Sequence, residues 1–281
     1  MVRSLRFTFT LTLVFSCIFV ARNCQAFSGS TSQPSNMPRS NKKIVASVVV
    51  LAQKELKKAG DPKKVKAMQS YCKTTMPMYG IRKPDRAKVE NLIHSTLKDE
   101  QVSMTRPLYR DCIQSLWKLP HREEKYLAID FALHHKHQIC WENLSLYETF
   151  FIRDHHDIMN WDFVDPIAIN LIGKVALANQ ARMEPILRQW IDDDQMWIRR
   201  TAILAQLKHK KETNEHLLFD LCRSRMHEKE FFIRKAIGWA LREYGKTNPE
   251  AVVQFLKDEK ANLSGLSYRE GSRILIKEGR M

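Results

Sequence analysis

Residues that form tight turns are scarce in this sequence. Nine glycines and ten prolines occur among 281 residues, few for a sheet-rich fold, which needs many such turns. No segment alternates apolar and polar residues in the way that a half-buried β-strand does. The shortage of turn residues and the lack of alternation both predict an all-α protein.

Acidic residues are absent from the beginning of the chain. Arg3 and Arg6 precede the apolar run 7–20, and the small residue Ala26 follows shortly after it. This layout is typical of a secretory signal peptide, and the apolar run is short for a membrane span. We therefore predict that residues 1–26 are a signal peptide.

The segment that follows Ala26 also lacks acids, since the first acidic residue is Glu55. Residues 27–42 begin with Phe27 and are rich in hydroxyl side chains, a composition that resembles a transit peptide. A signal peptide followed by such a segment resembles the bipartite plastid targeting of algae with secondary plastids. We predict a plastid location, with the mitochondrion or secretion as alternatives, and a single folded domain over residues 43–281.

The cysteines form no dense framework and include no C-x-x-C pair. Cleavage after Ala26 would leave four of the six, widely spaced along the chain, at Cys72, Cys112, Cys140 and Cys222. This spacing favours free thiols in a reducing compartment over a disulfide scaffold. We expect these cysteines to be small core residues.

Metal-ligand spacing is missing as well. Histidines cluster at 134–137, in the order His-His-Lys-His, and at 155–156. No companion ligands stand near them at the spacing of a metal site. We interpret both clusters as exposed histidines at helix ends, and we predict neither a metal nor a cofactor.

Positive charge is abundant and spread along the chain. Lys and Arg outnumber Asp and Glu by 46 to 31, which gives a formal net charge of +15. The basic residues run through helical patterns rather than a tail. A folded basic surface points to nucleic acid or an anionic membrane as partner and says nothing about the fold.

Helical patterns follow one another from Lys43 onward, joined by short links. The predicted helices cover 44–58, 61 to about 75, a segment opening at Pro84, 106–117, 121–137, 141–153, a central helix through 179, 183–191, 195–210, 215–226, 230–244, 249–258 and 266–277. A dozen or so helices of this kind predict stacked pairs in a HEAT-like solenoid, one face of which curves into a groove.

The central segment places Trp161 and Asp165 four residues apart, with Pro166 directly after the acid. Proline suits the first turn of a helix, so a helix should begin a few residues before it. Apolar residues then recur at helical spacing, at Val164, Ala168, Leu171 and Val175. The start of a helix favours an ionised carboxylate. From this stretch alone, a plain cap beside a core tryptophan is the alternative.

The segment 230–244 combines a core face with a basic face. Its apolar stripe runs through Ile233, Ala236, Ile237, Ala240, Leu241 and Tyr244. Trp239 lies off this stripe, in a row with Lys235, Arg242 and Lys246. Either a neighbouring helix covers this tryptophan, or it is an aromatic platform for a base or a cation, flanked by phosphate contacts.

Several segments resemble the AlkD-type DNA alkylation repair glycosylases. They are WDFVD at 161–165, WIRRTAILAQLKHK at 197–210, EFFIRKAIGWALREYGKTNP at 230–249, Tyr71 in MQSYCK, Gly80-Ile81 followed by Pro84, and LSYREG at 266–271. The resemblance covers roughly residues 45–280. It departs after Pro84, where Arg86 is followed by Ala87 and Asn91 comes one turn later, although the family usually has more basic residues there.

The resemblance implies a HEAT-like superhelix that holds duplex DNA in a basic concave groove and excises N3- and N7-alkylated purines. The family's catalytic acid corresponds to Asp165, its groove tryptophans to Trp161 and Trp239, its supporting tyrosine to Tyr71, and two DNA-contacting arginines to Arg200 and Arg242. Lys235 and Lys246 join these as candidate DNA contacts. We further expect a monomer without stable membrane association.

The chemistry fits these residue types. An N3- or N7-alkylated purine is a cation, so it leaves as a neutral base without a general acid. One carboxylate can stabilise the positive charge that develops on the sugar and orient water. No lysine is a candidate for Schiff-base chemistry, which predicts a monofunctional glycosylase. The alternatives are a non-catalytic HEAT-like scaffold that binds DNA or protein, and a DNA-structure binder that has lost turnover.

Overall fold

The computed structural model describes residues 39–281, and residues 40–281 form one compact unit. The predicted signal peptide, and the transit-like segment up to residue 38, lie outside the described residues. Helix α1 begins at Arg39. Residues 39–42, which we assigned to the transit-like segment, are therefore the first turn of this helix.

The described residues are helical and contain no β-strand, which confirms the all-α prediction. The α-helices are α1 Arg39–Ala59, α2 Pro62–Cys72, α3 Lys83–Asp99, α4 Arg106–Trp117, α5 Arg122–His134, α6 Trp161–Pro166, α7 Gly173–Ala178, α8 Gln180–Trp190, α9 Met196–Leu204, α10 Glu215–Arg225, α11 Phe231–Tyr244, α12 Pro249–Asp258 and α13 Gly265–Lys277. Two π-helical segments lie at Leu146–Arg153 and Ile167–Ile172, and short 3-10 turns at Lys136–Gln138, Trp141–Asn143, His156–Ile158 and Lys210–Glu212.

Neighbouring helices in the sequence are also neighbours in space. Helix α4 packs on α5, α8 on α9, and α12 on α13. This pattern of local packing is characteristic of a helical-repeat array, because each helical pair buries its apolar stripe against the next.

Helix α11 contacts α9, α12 and α13. Its predicted stripe is buried at Ile233, Ala236, Ile237, Ala240 and Leu241, whereas Tyr244 is half-buried and donates its hydroxyl to Glu215. A Cβ at Gly238 would lie 2.9 Å from the Ser267 carbonyl oxygen. Helices α11 and α13 therefore approach each other too closely for a side chain at position 238.

Two predicted helices differ from the conformation that the structure shows. The segment predicted at 195–210 is α-helical only to Leu204, and Lys210 has a positive φ of 53°. Ala205 and His209 are buried although they lie outside the helix. The apolar pattern of residues 195–210 therefore indicated which residues are buried, and not how far the helix extends. The helix predicted at 141–153 is likewise a 3-10 turn followed by a π-helical segment.

The remaining features of the fold concern thiols and the membrane. The four cysteines of the described range are free thiols, as predicted. Three of them are buried as expected of core residues, whereas Cys140 is only half-buried. Among the helices of residues 39–281, none combines the length and apolarity needed to cross a membrane.

Candidate functional site

Helix α6 is anchored at its first turn. The Asn160 side-chain oxygen accepts a hydrogen bond from the Trp161 amide at 2.8 Å, and its Nδ2 donates to the Cys72 carbonyl at 2.6 Å. Pro166 ends α6, and a π-helical segment continues the same axis. The predicted stripe is fully buried at Val164, Ala168, Leu171 and Val175. This burial turns Trp161 and Asp165 toward one cleft.

Asp165 pairs with Arg200 of α9 through two parallel hydrogen bonds. Arg200 Nε donates to Oδ1 at 2.8 Å and Nη2 donates to Oδ2 at 2.9 Å. The third nitrogen, Nη1, donates to the Phe232 carbonyl at 2.5 Å. The Arg200 side chain is 3% exposed. All three guanidinium nitrogens are therefore engaged within the protein, in contacts that join α6, α9 and α11.

The electrostatic environment of Asp165 differs from the one we expected. The prediction placed this carboxylate beside the free amides at a helix start, but α6 begins at Trp161, so Asp165 lies in its second turn. Its side-chain partner is Arg200 instead. Burial raises the pKa of Asp165, while hydrogen bonding and charge from Arg200 favour the ionised form and Asp162 disfavours it. The Asp165 side chain is 14% exposed.

Both tryptophans predicted for the site line the same cleft as Asp165, which has a volume of about 390 Å³. Its lining consists of Trp161, Asp165, Arg200, Phe231, Phe232, Lys235, Trp239 and Arg242. Trp239 is half-buried rather than covered by a neighbouring helix. Six of the eight predicted site residues thus meet in one cleft.

Tyr71 lies beside this cleft at the end of α2. Its ring packs edge-on against Trp161, with 5.7 Å between the ring centroids and an interplanar angle of 83°. The Tyr71 side chain remains 72% exposed. It therefore supports one edge of Trp161 while presenting its own surface to solvent.

Lys235 and Arg242 share one carboxylate. The Lys235 ammonium donates to Glu270 Oε1 at 2.5 Å, and Arg242 donates to the other oxygen. Hydrogen bonding and charge from Lys235, together with Arg242, lower the pKa of Glu270. Glu270 of α13 thus partly neutralises the two cations on this side of the cleft.

Lys246 lies in a different cleft from Asp165. Its ammonium donates to Glu243 at 2.6 Å, and it lines a cleft of about 510 Å³ together with Lys208 and Lys210. The structure therefore places Lys246 near the basic residues that follow α9, outside the cleft that both tryptophans line.

The cleft around Asp165 belongs to a row of four clefts in which each cleft shares lining residues with the next. It shares Trp161 with a cleft of about 840 Å³. It shares Asp165 and Trp239 with a third cleft. That third cleft shares Lys208 and Glu243 with the cleft of Lys246. We call the whole the basic groove. Its eleven basic residues are Lys63, Lys64, Arg82, Lys83, Arg86, Arg200, Lys208, Lys210, Lys235, Arg242 and Lys246, and its four acidic residues are Asp130, Asp162, Asp165 and Glu243.

A second ion pair beside Trp161 was not predicted. Asp162 accepts hydrogen bonds from Arg122 Nε at 3.0 Å and from Nη2 at 2.7 Å, and it also accepts one from the Tyr126 hydroxyl. Arg122 is fully buried and lies 4.0 Å above the Phe163 ring centroid. The residues come from α5 and α6, which are distant in sequence, so no local spacing could reveal the pair.

Phe231, which lines the cleft, and Glu270, which pairs with two of its cations, entered the sequence analysis only as members of motifs. Phe231, 57% exposed, opens α11 at the rim of the cleft, and Glu270 belongs to the LSYREG segment. A large exposed apolar side chain at the start of a helix is a usable signal for Phe231. The ion pairs of Glu270 depend on how α11 and α13 pack, which the sequence does not show.

The fold supplies companion ligands for one of the histidine clusters. Glu90 and His94 of α3 lie against His134, and one potential ligand atom from each lies within 4.8 Å of the others. Burial, with smaller contributions from His134 and His135, lowers the pKa of His94 to about 3. Our interpretation of His134 as a simple exposed helix end was therefore incomplete, because its neighbours come from a helix some 40 residues earlier.

Comparison with known proteins gives a family match over most of the chain. The sequence model of the DNA alkylation repair enzyme family matches residues 52–275. The chain is also similar to a solved structure described as a predicted DNA alkylation repair enzyme from Enterococcus faecalis, with 29% identity and a TM-score of 0.67 over 78% of this chain and 97% of that one. A crystal structure of smu.31 from Streptococcus mutans UA159 is 17% identical, with a TM-score of 0.49 over 67% and 96%. No match is found among curated proteins.

Proposed function

The chain belongs to the DNA alkylation repair enzyme family, and on that premise we propose that it is a monofunctional DNA glycosylase of the AlkD type. Membership indicates an enzyme with a role in DNA repair and therefore DNA as its substrate. The proposed reaction is hydrolysis of the N-glycosidic bond of cationic N3- or N7-alkylated purines, such as 3-methyladenine and 7-methylguanine, in duplex DNA.

The observation that carries this proposal is that Asp165 and two tryptophans line one cleft of a basic groove. An alkylated purine already bears a positive charge, so its departure needs no proton donor. As the bond breaks, positive charge moves to the deoxyribose. The Asp165 carboxylate, held by Arg200, is the anionic group of the cleft that can stabilise this charge.

While it is paired with Arg200, the Asp165 carboxylate can still accept further hydrogen bonds. A carboxylate offers about four lone-pair positions, and Arg200 occupies one on each oxygen. The remaining positions can accept a hydrogen bond from the attacking water. We assign Arg200 the role of a positioning residue that holds the carboxylate, because each of its three guanidinium nitrogens already bonds within the protein and its side chain is 3% exposed. This replaces the phosphate contact that the resemblance implied for it.

Trp161 and Trp239 provide the aromatic faces of the proposed site. Aromatic rings attract cations and polarised C–H groups through their negative faces. The damaged nucleotide is a cation, whereas a normal nucleotide is not. Two indole rings beside one carboxylate therefore favour the damaged nucleotide and its transition state over undamaged DNA.

The basic groove is the proposed contact surface for the DNA backbone. Eleven basic residues against four acidic ones line it, and neutralisation of phosphates releases counterions from the duplex. Binding is therefore expected to be largely independent of sequence and to weaken as salt concentration rises.

Strand cleavage by lyase chemistry does not fit the cleft. A Schiff base requires a neutral amine, and Lys235, which lines the cleft with Asp165, instead forms an ion pair with Glu270 at 2.5 Å. The proposed enzyme stops at an abasic site. The proposed reaction requires no metal or cofactor in this cleft, so base release should persist in the presence of a chelator.

A non-catalytic scaffold is the alternative, since helical-repeat arrays often serve as binding platforms. The discriminating assay measures release of 7-methylguanine and 3-methyladenine from methylated duplex DNA by the purified protein. A glycosylase releases free bases and leaves alkali-labile sites. A scaffold binds the duplex without releasing a base, and that outcome would overturn the proposal.

A further inference from the structure

Three potential metal ligands meet where α3 packs against α5, outside the basic groove. Glu90 and His94 are one helical turn apart on α3, so their side chains share one face. His134 is the last residue of α5. Their ligand atoms lie within 4.8 Å of one another, and none of the three lines a cleft of the basic groove.

His94 is the least usual member of this cluster. Its side chain is 8% exposed, yet neither ring nitrogen has a hydrogen-bond partner among residues 39–281. Buried polar atoms in proteins are nearly always satisfied, because leaving them without partners costs free energy. An unsatisfied imidazole that faces a carboxylate is therefore an indication that a ligand completes the site.

The distances within the cluster suit a small divalent cation after slight adjustment. His94 Nε2 lies 3.9 Å and His134 Nδ1 lies 3.7 Å from the same oxygen of Glu90. Zinc bonds of about 2.0–2.2 Å in a tetrahedron place neighbouring ligand atoms about 3.4 Å apart. The side chains would need to close these distances by a few tenths of an ångström.

One imidazole must also turn. The rings of His94 and His134 are stacked, with 3.4 Å between centroids and 13° between planes, whereas an imidazole nitrogen binds a metal in the plane of its ring. The His134 side chain is 44% exposed and has room to rotate out of the stack. His94 would keep its buried position.

We propose that Glu90, His94 and His134 bind one Zn²⁺ ion. Two imidazoles and one carboxylate form a donor set typical of zinc, and the fourth position would remain for water. Because the ligands come from both helices, the ion would connect α3 to the end of α5. The ion would lie outside the cleft of Asp165.

The test uses the full chain carrying no polyhistidine tag, with Zn²⁺ titrated by calorimetry and Co²⁺ followed by visible absorption. Wild type should bind one Zn²⁺ per chain. Glu90→Gln and His134→Ala, which change accessible side chains, should each weaken binding at least about ten-fold. The matched control is His137→Ala, since His137 is exposed and near the same helix end, and its affinity should stay within about two-fold of wild type.

Melting temperature provides a second readout. Zn²⁺ should raise the melting temperature of wild type and of His137→Ala, but not that of His134→Ala. Absence of stoichiometric binding by wild type would overturn the site, as would a loss in His137→Ala equal to that in His134→Ala. Neither readout depends on base excision, so the result is independent of the glycosylase proposal.

Discussion

Arg200 holds both carboxylate oxygens of Asp165, with Nε 2.8 Å from Oδ1 and Nη2 2.9 Å from Oδ2. The same guanidinium reaches the backbone of α11 through the Phe232 carbonyl. The carboxylate is therefore positioned by two other helices, which limits its rotation. Preorganised charge of this kind stabilises a transition state without reorganisation during the reaction.

The pairing of Asp165 with Arg200 predicts that substitution of Arg200 shifts the pH dependence of base release. Burial raises the pKa of Asp165, and Arg200 opposes that rise. Since the proposed role needs the ionised carboxylate, the rate should fall as pH falls through this raised pKa. Arg200→Gln removes the cation that favours ionisation, so the pKa should rise further and the acidic limb should move to higher pH.

Single-turnover rates measured between pH 4 and pH 9 test this prediction. The control is Arg199→Gln, because Arg199 precedes Arg200 in the same helix but pairs with Glu228 and does not line the cleft. An acidic limb at the same pH in wild type and Arg200→Gln would contradict the positioning role.

Glu270 should lower the affinity for DNA, because its carboxylate forms ion pairs with both Lys235 and Arg242. Glu270→Gln removes this negative charge and frees two cations for phosphates. Affinity for undamaged duplex should rise, and the slope of log affinity against log salt should steepen by about one to two. Fluorescence anisotropy at several salt concentrations measures both quantities.

Glu250→Gln is the control for this change, since Glu250 also pairs with an arginine, Arg280, but lies outside the basic groove. Equal salt slopes in wild type and Glu270→Gln would exclude Lys235 and Arg242 from the DNA contact.

Trp239 should contribute to discrimination between damaged and undamaged DNA. An aromatic contact with a cation is worth about 0.5–2 kcal/mol, so Trp239→Ala should lose roughly 2- to 30-fold in the rate of 7-methylguanine release. Trp239→Phe keeps an aromatic face and should lose less. Equal losses in the two variants would indicate that Trp239 acts by filling space rather than through its aromatic face.

The N-terminal segment should direct the protein to a plastid. Residues 1–45 fused to a fluorescent protein, and expressed in an alga with secondary plastids, should label that organelle. A fusion that begins at Phe27 lacks the signal peptide and should not enter. Fluorescence of the longer fusion in the medium or in mitochondria would contradict the plastid proposal and leave the enzymatic proposal unaffected.

Local sequence features predicted the helices where capping and burial agree. Helix α12 has the predicted bounds, because Pro249 provides its first residue and the Asn248 side chain accepts from the Ala251 amide. The stripe of α11 was predictable from spacing alone, since Ile233 and Leu241 are both buried. The end of α9 could not be predicted in this way. The buried residues after Leu204 continue the apolar pattern although the chain there is no longer α-helical.

Contacts between distant residues could not be predicted from spacing. Asp165 and Arg200 are 35 positions apart, and each has other plausible partners in a chain rich in both charges. The same applies to His134, whose neighbours His94 and Glu90 belong to α3. Pattern analysis therefore identified the acid, the tryptophans and the basic row, while the pairing of their charges required the fold.

The central claim is that the charge of Asp165 drives base release, and Asp165→Asn tests it. The substitution keeps the shape of the side chain and one acceptor for Arg200 but removes the negative charge. Loss of such a contact typically costs on the order of 100- to 1000-fold in rate. Affinity for undamaged duplex should hold or rise slightly, because a negative charge leaves the groove.

Asp162→Asn is the matched control, because Asp162 lies in the same helix and is also paired with a buried arginine, Arg122. Both variants leave a buried arginine without its carboxylate partner, so both should lower the melting temperature, and by comparable amounts.

The decisive measurement is the single-turnover release of 7-methylguanine from methylated duplex by wild type, Asp165→Asn and Asp162→Asn, with melting temperatures recorded in parallel. The mechanism predicts a loss of about 100-fold or more for Asp165→Asn and of less than about ten-fold for Asp162→Asn. Near-normal release by a folded Asp165→Asn protein would contradict it.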